Sequence, residues 1–218
     1  MTPMNVHVKV CGVTNVEDAT ECVALGVSAI GLNFVPSSPR RVDVETARAI
    51  AEAVGDRALI VGVVADLDVD AMKRLRDEAR LGCLQLHGDE PPEALEALLP
   101  HAYKALRVAD AADVARADEF PGEHLLVDAK VAGALGGTGV RVDPALVVEL
   151  ARRRKLTLAG GLRPDNIAAA IATVRPFAVD VASGVERAAE PRRKDLRLVE
   201  ELLAEVRRAA RDFSSSGF

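Results

Sequence analysis

A cysteine and an aspartate at the ends of two apolar segments are the first candidates for chemistry in this chain. Cys11 follows a run that ends in Val10, and Asp128 follows a run that ends in Val127. A thiol and a carboxyl group that face each other can serve as a base and an acid. Neither residue is decisive alone, because a lone cysteine on a strand is usually a small buried hydrophobe and an aspartate can simply cap a loop.

Other polar residues stand at the ends of further apolar segments. Gln85 and His87 close one segment, and Arg40 and Arg41 follow another. His87 fits a structural role as well as a binding role, and the two arginines fit a solvated charge pair as well as an anion site. Their function therefore depends on whether the fold brings them together.

Two glycine-containing segments have the composition of a phosphate site. Gly160-Gly161 and Ser183-Gly184 each follow an apolar run. Glycine lets the backbone approach a phosphate closely, and N–H groups at a helix start can donate to it. The alternative is that these glycines only form tight turns after strands. Phosphate binding is favoured because both segments show the pattern where barrels commonly hold phosphate.

Eight β-rich runs alternate with helical patterns and would position these residues. The expected strands span residues 6–10, 29–34, 58–64, 83–86, 103–108, 124–128, 156–159 and 177–182. Eight units of about 25 residues favour a closed (β/α)8 TIM barrel, an α/β fold, over an open doubly wound sheet. We expect residues 1–213 to form this single domain and the serine-rich residues 214–218 to form a disordered tail. Barrel active sites lie at the carboxyl ends of the strands, where the candidates cluster.

Helices are marked by apolar faces and by prolines at their starts. Positions 44, 47, 50, 51 and 54 share one helical face, and positions 199, 202, 203, 206 and 213 share another. Pro92, Pro144 and Pro164 mark helix starts. Of the other cysteines, Cys22 falls in a helix and Cys83 in the middle of a strand, and both are expected in the core.

Strand alternation predicts a buried ion pair beneath the candidate site. Lys9 and Cys11 share one face of the first strand, and the opposite face is apolar and suited to contact the helices. By the same alternation, Asp180 points inward from the eighth strand, which neighbours the first in a closed barrel. We expect the two charged side chains to form an ion pair, because burying an unpaired charge costs much free energy. The alternative is that Lys9 reaches solvent or Asp128.

Composition excludes several classes of protein. The chain has 218 residues, a formal net charge of −5 and three cysteines without metal-ligand or redox spacing. An acidic chain lacks the basic stripe of a nucleic-acid surface, although it can hold a local anion pocket. No secretory signal is recognised in residues 1–9 and no run is long enough to span a membrane. We expect a cytoplasmic protein with reduced thiols, no metal site, and no nucleic-acid or membrane partner.

Several segments together resemble one enzyme family. The first is Lys9-Val10-Cys11-Gly12-Val13-Thr14, followed by residues 17–19. The others are residues 31–34 with 38–40, 85–90, 126–130 with 136–139, 158–162 with 164–166, and 179–186. In order and spacing they resemble the phosphoribosylanthranilate isomerases of tryptophan biosynthesis, and the resemblance covers nearly the whole chain.

The resemblance implies an activity and a set of roles. It implies an Amadori rearrangement of N-(5-phosphoribosyl)anthranilate, with Cys11 as general base and Asp128 as general acid. Arg40, rather than Arg41, takes the position of the arginine that faces the anthranilate carboxylate. No cofactor is implied, because the substrate's own nitrogen acts as the electron sink. The expected substrate-binding residues are Arg40, Gln85, His87, Gly160, Gly161, Asp180, Ser183 and Gly184.

The sequence departs from the family pattern in two places. Arg192 stands where the family usually has glycine. This segment adjoins the expected phosphate site, so the replacement could change the affinity for phosphate. The third strand ends in Val64-Ala65-Asp66, where the family often has phenylalanine and asparagine, and this could alter packing near the anthranilate ring. Neither change removes a group that the chemistry needs.

Two rival functions remain at this point. One is a related sugar-phosphate barrel isomerase that acts on the aminoaldose of histidine biosynthesis. Such enzymes have a pair of aspartates as their acid and base, and their sequences consist of two repeated halves. Here Cys11 holds the base position and no repeat is visible in the sequence. The other is a paralogue that binds a phosphorylated ligand without turnover, which the presence of Cys11, Asp128 and Arg40 disfavours. The sequence leaves the choice between monomer and homodimer open.

Overall fold

Short runs rich in valine, leucine and isoleucine form parallel strands in a computed structural model that describes residues 6–129 and 144–215. Strands β1 to β8 close into a barrel in chain order, with β8 paired to β1. Their bounds are His7–Cys11, Ala29–Asn33, Leu59–Val64, Cys83–Leu86, Ala102–Val108, His124–Ala129, Lys155–Leu158 and Ala178–Val181. The expected (β/α)8 barrel is confirmed, and every strand end lies within one residue of its expected position.

A helix follows each strand. Helices α1 to α8 span Val16–Leu25, Val44–Val54, Val69–Glu78, Pro92–Glu96, Ala111–Ala115, Pro144–Arg153, Ile167–Val174 and Leu196–Ser215. Side-chain caps fix several of the starts, because an Asn or Asp oxygen accepts a backbone N–H that the first turn leaves unpaired. The capping residues are Asn15, Asp43, Asp68 and Asp110. Among the described residues, no helix is both long and apolar enough to cross a bilayer.

The last helix extends to Ser215, two residues into the segment expected as a tail. Residues 216–218 lie outside the described residues. The apolar face of α8 is buried as expected, with Val199 and Leu202 fully inaccessible to solvent.

Two apolar layers surround the strands. Outward-facing side chains such as Val8 and Val10 pack under the helices and form the main core. The barrel interior holds a smaller cluster of Ala105, Leu126 and Ala159, against which Tyr103 packs. Cys22 is buried in the core as expected. Cys83 is not mid-strand but is the first residue of β4, and it is only partly buried.

The segment between β8 and α8 contains secondary structure that the sequence pattern did not indicate. A short 3-10 helix, Ser183–Val185, comes directly after β8. It leads into an antiparallel hairpin of β9, Glu186–Arg187, and β10, Glu190–Lys194. The hairpin therefore contains Arg192, one of the two positions at which the sequence departs from the family pattern.

Candidate active site

A cavity of about 440 Å³ opens at the carboxyl ends of the strands. This is the end of the barrel at which parallel strands place the residues that follow them. All ten candidate residues line it: Cys11, Arg40, Gln85, His87, Asp128, Gly160, Gly161, Asp180, Ser183 and Gly184. Residues from six strands and their following loops thus meet in one place.

Cys11 is the last residue of β1 and lies at the mouth of the barrel interior. Burial raises the pKa of its thiol, and the positive charge of Lys9 opposes that shift without overcoming it. Desolvation disfavours a thiolate because a charge loses its hydration in the interior. The thiol is therefore the resting form of Cys11, and Lys9 is the nearby cation that can stabilise the thiolate when it forms.

The predicted ion pair beneath the cavity is confirmed. Lys9 and Asp180 are register partners across β1 and β8, and Lys9 Nζ lies 2.7 Å from Asp180 Oδ2. Their side chains are only 5% and 7% exposed. Burial would lower the pKa of Lys9, but the charge of Asp180, together with smaller contributions from Cys11 and Tyr103, outweighs it and raises that pKa. The other oxygen, Oδ1, is buried and accepts no hydrogen bond from the described residues, so it can accept one from a ligand.

Asp128 stands near the end of β6 and faces His87 across the cavity. It is 7% exposed, and its Oδ2 lies 3.7 Å from His87 Nε2. Burial, and then the charges of Lys9, Lys104 and Arg107, lower the pKa of His87 to about 4. His87 is therefore neutral at physiological pH and can offer either a donor or an acceptor to Asp128.

Arg40 reaches the cavity from the loop after β2 and is held by a carboxylate. Its Nε and Nη2 donate to the two oxygens of Glu186 at 2.5 and 2.8 Å. This hydrogen-bonded contact raises the pKa of Arg40, and a bidentate pair of this kind fixes the plane of the guanidinium. Arg40 retains further N–H groups for a second anion, because guanidinium has five donors.

Lys194 stabilises the same region and was missed by the sequence analysis. It is fully buried, and its Nζ donates to the Cys11 carbonyl at 2.7 Å and to the Ala182 carbonyl at 3.2 Å. It also contacts Glu186 Oε1 at 3.1 Å. One ammonium group thus joins the ends of β1 and β8 to the carboxylate that holds Arg40. The sequence offered only a lysine in a basic loop segment.

The two glycine segments form adjacent walls of the cavity. Gly160 and Gly161 have φ values of 94° and 61°, which favour glycine. A Cβ on Gly184 would lie 2.0 Å from the Leu162 carbonyl oxygen, so only glycine permits this approach of the two loops. The 3-10 helix that begins at Ser183 supplies the helix start expected at a barrel phosphate site.

Arg192 does not line the cavity. Its side chain is exposed, and its Nη2 donates to the Arg41 carbonyl at 3.3 Å, while its own carbonyl accepts from Thr14 Oγ1 at 2.7 Å. Arg192 thus joins the hairpin to the loop after β2 through its side chain and to the loop after β1 through its backbone carbonyl. At the other departure, Val64 is fully buried and Val63, beside it, lines the cavity.

One part of the expected site lies outside the described residues. The segment after β6, which includes Lys130 and the glycine-rich residues 136–139, belongs to the undescribed range. In the part of the chain that is described, no three His, Cys, Asp or Glu side chains are grouped as metal ligands.

The fold and the position of the cavity define a (β/α)8-barrel enzyme with its site at the carboxyl ends of the strands. The sequence profile described as N-(5′-phosphoribosyl)anthranilate (PRA) isomerase matches residues 8–205. The chain therefore belongs to the N-(5′-phosphoribosyl)anthranilate isomerase family, as its motifs indicated.

Individual relatives agree with this assignment. The N-(5′-phosphoribosyl)anthranilate isomerase of Myxococcus xanthus is 44% identical over 201 residues, which are 90% of this chain and 93% of that protein. A crystal structure of phosphoribosyl anthranilate isomerase from Thermus thermophilus superposes with a TM-score of 0.84 at 40% identity, covering 93% of this chain and 99% of that one. A phosphoribosyl anthranilate isomerase in complex with reduced 1-(o-carboxyphenylamino)-1-deoxyribulose 5-phosphate gives a TM-score of 0.81 at 34% identity, with coverage of 93% and 99%.

Proposed function

We propose that Cys11 and Asp128 carry out the isomerisation of N-(5′-phosphoribosyl)anthranilate that membership of this family assigns to the chain. The product is 1-(2-carboxyphenylamino)-1-deoxyribulose 5-phosphate, an intermediate of tryptophan biosynthesis. The observation that carries the proposal is that the thiol of β1 and the carboxyl of β6 line one cavity beside the two glycine segments. A ligand with a phosphate, a sugar and an aromatic carboxylate would place its phosphate at the glycine segments, its sugar between Cys11 and Asp128, and its carboxylate at Arg40.

The proposed reaction needs two proton transfers. Protonated Asp128 donates to the furanose ring oxygen as the bond from that oxygen to C1′ breaks, and the nitrogen lone pair forms the C1′ iminium. Cys11, as thiolate, then removes the proton from C2′, and the electron pair moves to form an enolamine. The enolamine gains a proton at C1′ and loses one from the C2′ hydroxyl to give the aminoketose. Positioned acids and bases of this kind each contribute about 10²–10⁴-fold.

Cys11 must lose its thiol proton before it can act as the base. Burial raises the pKa of the thiol, so only a minor fraction of the molecules carries the thiolate, whose proton has passed to solvent through the cavity that Cys11 lines. Lys9 lies on the same strand face and is itself held by Asp180. A fixed cation next to the sulfur stabilises this thiolate, which becomes the neutral thiol again when it takes the C2′ proton.

A turnover assay tests the function. The anthranilate adduct is fluorescent and loses this fluorescence as it is converted, so the purified protein should consume it without any added cofactor. Conversion of a histidine-pathway aminoaldose instead would favour the related isomerase. Tight binding without conversion of either compound would favour the inactive ligand-binding paralogue.

The phosphate is expected between the loops after β7 and β8. A crystal grown with sulfate or phosphate should contain the anion between Gly161 and Gly184, held mainly by backbone N–H groups, because these loops and the 3-10 helix start form an anion-binding concavity. Diffraction data from such a crystal test the position. An anion found only at the exposed Arg192 and Arg193 would contradict it.

Arg40 is expected to bind the anthranilate carboxylate. Arg40→Ala should raise KM by about 10- to 100-fold, the range expected for losing a charge-assisted hydrogen bond. Arg41→Ala is the matched control, because Arg41 is exposed and does not line the cavity. Steady-state kinetics with both variants would contradict the assignment if Arg41→Ala had the larger effect.

We also propose that the protein works in the cytoplasm as a monomer or a homodimer. The three cysteines are free thiols in the structure, which fits a reducing compartment. Multi-angle light scattering of the purified chain distinguishes the two oligomeric states, and cell fractionation tests the location.

A further inference from the structure

Three side chains lead from the barrel interior to Asp128. The phenol of Tyr103, on β5, donates to Gln85 Oε1 at 3.0 Å. Gln85 Nε2 lies 2.7 Å from His87 Nδ1, and His87 Nε2 lies 3.7 Å from Asp128 Oδ2. We call Tyr103, Gln85 and His87 the relay. Only its last two members line the cavity.

The direction of the hydrogen bonds in the relay starts at the phenol. Burial raises the pKa of Tyr103, so the hydroxyl keeps its proton at physiological pH. A protonated phenol can donate or accept, and in the structure it donates to the carbonyl oxygen of Gln85. The amide nitrogen of Gln85 therefore faces His87.

The orientation of Gln85 determines where His87 carries its proton. The amide nitrogen is a donor, so His87 Nδ1 must be the acceptor. His87 is neutral because burial lowers its pKa to about 4, and a neutral imidazole has one N–H. That N–H is consequently at Nε2, the nitrogen nearest to Asp128.

We propose that Tyr103 is a positioning residue for Asp128, which acts through Gln85 to fix His87 as the Nε2–H tautomer and aims this N–H at Asp128 Oδ2. The proposal rests on the proposed role of Asp128 as the general acid. When Asp128 gives its proton to the ring oxygen, its carboxylate forms, and the N–H can approach from 3.7 Å to hydrogen-bond distance. A donor that strengthens its contact with a developing charge lowers the barrier.

Tyr103 does not line the cavity, so we expect it to make no contact with the substrate. Loss of its hydroxyl should therefore lower kcat and leave KM nearly unaltered. Tyr103→Phe keeps the ring that packs against Ala105, Leu126 and Ala159 and removes only the hydroxyl. We expect kcat to fall about five-fold, which is the factor carried by one net hydrogen bond.

The tautomer can be measured directly, without turnover. The 15N chemical shifts of the His87 ring in the intact, ligand-free protein distinguish a protonated Nε2 from a protonated Nδ1. The wild-type protein should show Nε2–H alone. Tyr103→Phe should show a measurable population of Nδ1–H, because the Gln85 amide can then present either end. Gln85→Glu should move the proton to Nδ1, since a carboxylate only accepts.

A matched control removes a hydroxyl from the barrel interior outside the relay. Thr157 is buried on β7 and is the register partner of Leu126, so Thr157→Val should leave both the His87 spectrum and kcat as in the wild type. An Nδ1–H or doubly protonated His87 in the wild-type protein at neutral pH would overturn the proposal. A Tyr103→Phe spectrum identical to that of the wild type would also overturn it.

These outcomes are separate from failure of the proposed function. Full turnover in a variant without the Asp128 carboxyl would overturn the acid assignment, and with it the catalytic consequence of the relay. The NMR result would be unaffected, because it reports the proton on His87 and needs neither substrate nor catalysis.

Discussion

Cys11→Ala and Asp128→Ala should each lower kcat by about 10²–10⁴-fold and leave the barrel folded. Each variant removes the group proposed to handle one of the two protons. Among the described residues that line the cavity, Cys11 is the only thiol, and the other carboxyl, that of Asp180, is paired with Lys9. Cys11 is the last residue of β1 and lines the cavity rather than the main core, so its truncation to alanine removes little packing. Cys11→Ser should also be slow, because a serine hydroxyl forms its anion far less readily than a thiol.

Loss of substrate fluorescence under single-turnover conditions measures this effect without a contribution from product release. Cys83→Ala is the matched control for Cys11, since Cys83 is a partly buried thiol at the start of β4 and is not a cavity residue. It should turn over like the wild type. Rates near the wild-type value in Cys11→Ala or in Asp128→Ala would remove that residue from the mechanism.

The strands were predictable because they carry a strong local signal. Parallel strands are covered on the outside by helices and read as short apolar runs between glycine and polar residues. For β1 the alternation also gave the direction of each side chain, and this placed Cys11 and Lys9 inside and Val10 outside. The pairing of Lys9 with Asp180 then followed from closure alone, because β8 must lie beside β1 in a closed barrel.

The relay and Lys194 could not be predicted in the same way. Tyr103 reaches Gln85 only because β4 and β5 pair in a register that makes these two residues neighbours. No local pattern encodes that register or the rotamers that direct the phenol to the amide. Lys194 donates to a carbonyl 183 positions earlier in the chain, and its burial depends on a hairpin that has no analogue in the alternating pattern. The one available signal was a lysine in a segment where the chain departs from the family.

The residues of the candidate site differ in the same way. Those at strand ends could be placed at the cavity because barrel topology brings all strand ends together. Glu186, which orients Arg40, was not found, because it lies beyond β8 and contacts a residue of the loop after β2. Residues that hold other residues in place are set by tertiary contacts, and a sequence pattern identifies them only after the fold is known.

Asp180→Ala should destabilise the protein by about 3–5 kcal/mol, the typical cost of leaving one partner of a buried ion pair unpaired. Lys9, whose side chain is 5% exposed in the wild type, would remain inside the barrel without its carboxylate partner. The native pKa of Lys9 is raised, so its contribution to stability is fully present below the unfolded-state pKa of about 10.4, and a measurement at pH 7 captures it. Turnover should fall as well, because Asp180 lines the cavity and holds the cation next to Cys11.

Denaturant unfolding at pH 7 measures the free energy of unfolding for this test. Asp89→Ala is the matched control: its carboxylate is 79% exposed and pairs with Arg107 at the surface, where an ion pair contributes about 0–1 kcal/mol. The double variant Lys9→Met/Asp180→Ala should be more stable than Asp180→Ala, because it leaves no unpaired charge in the interior. If Asp180→Ala unfolded at the same denaturant concentration as the wild type, or if the two substitutions were simply additive, the pair would not stabilise the barrel in the way its burial and 2.7 Å separation indicate.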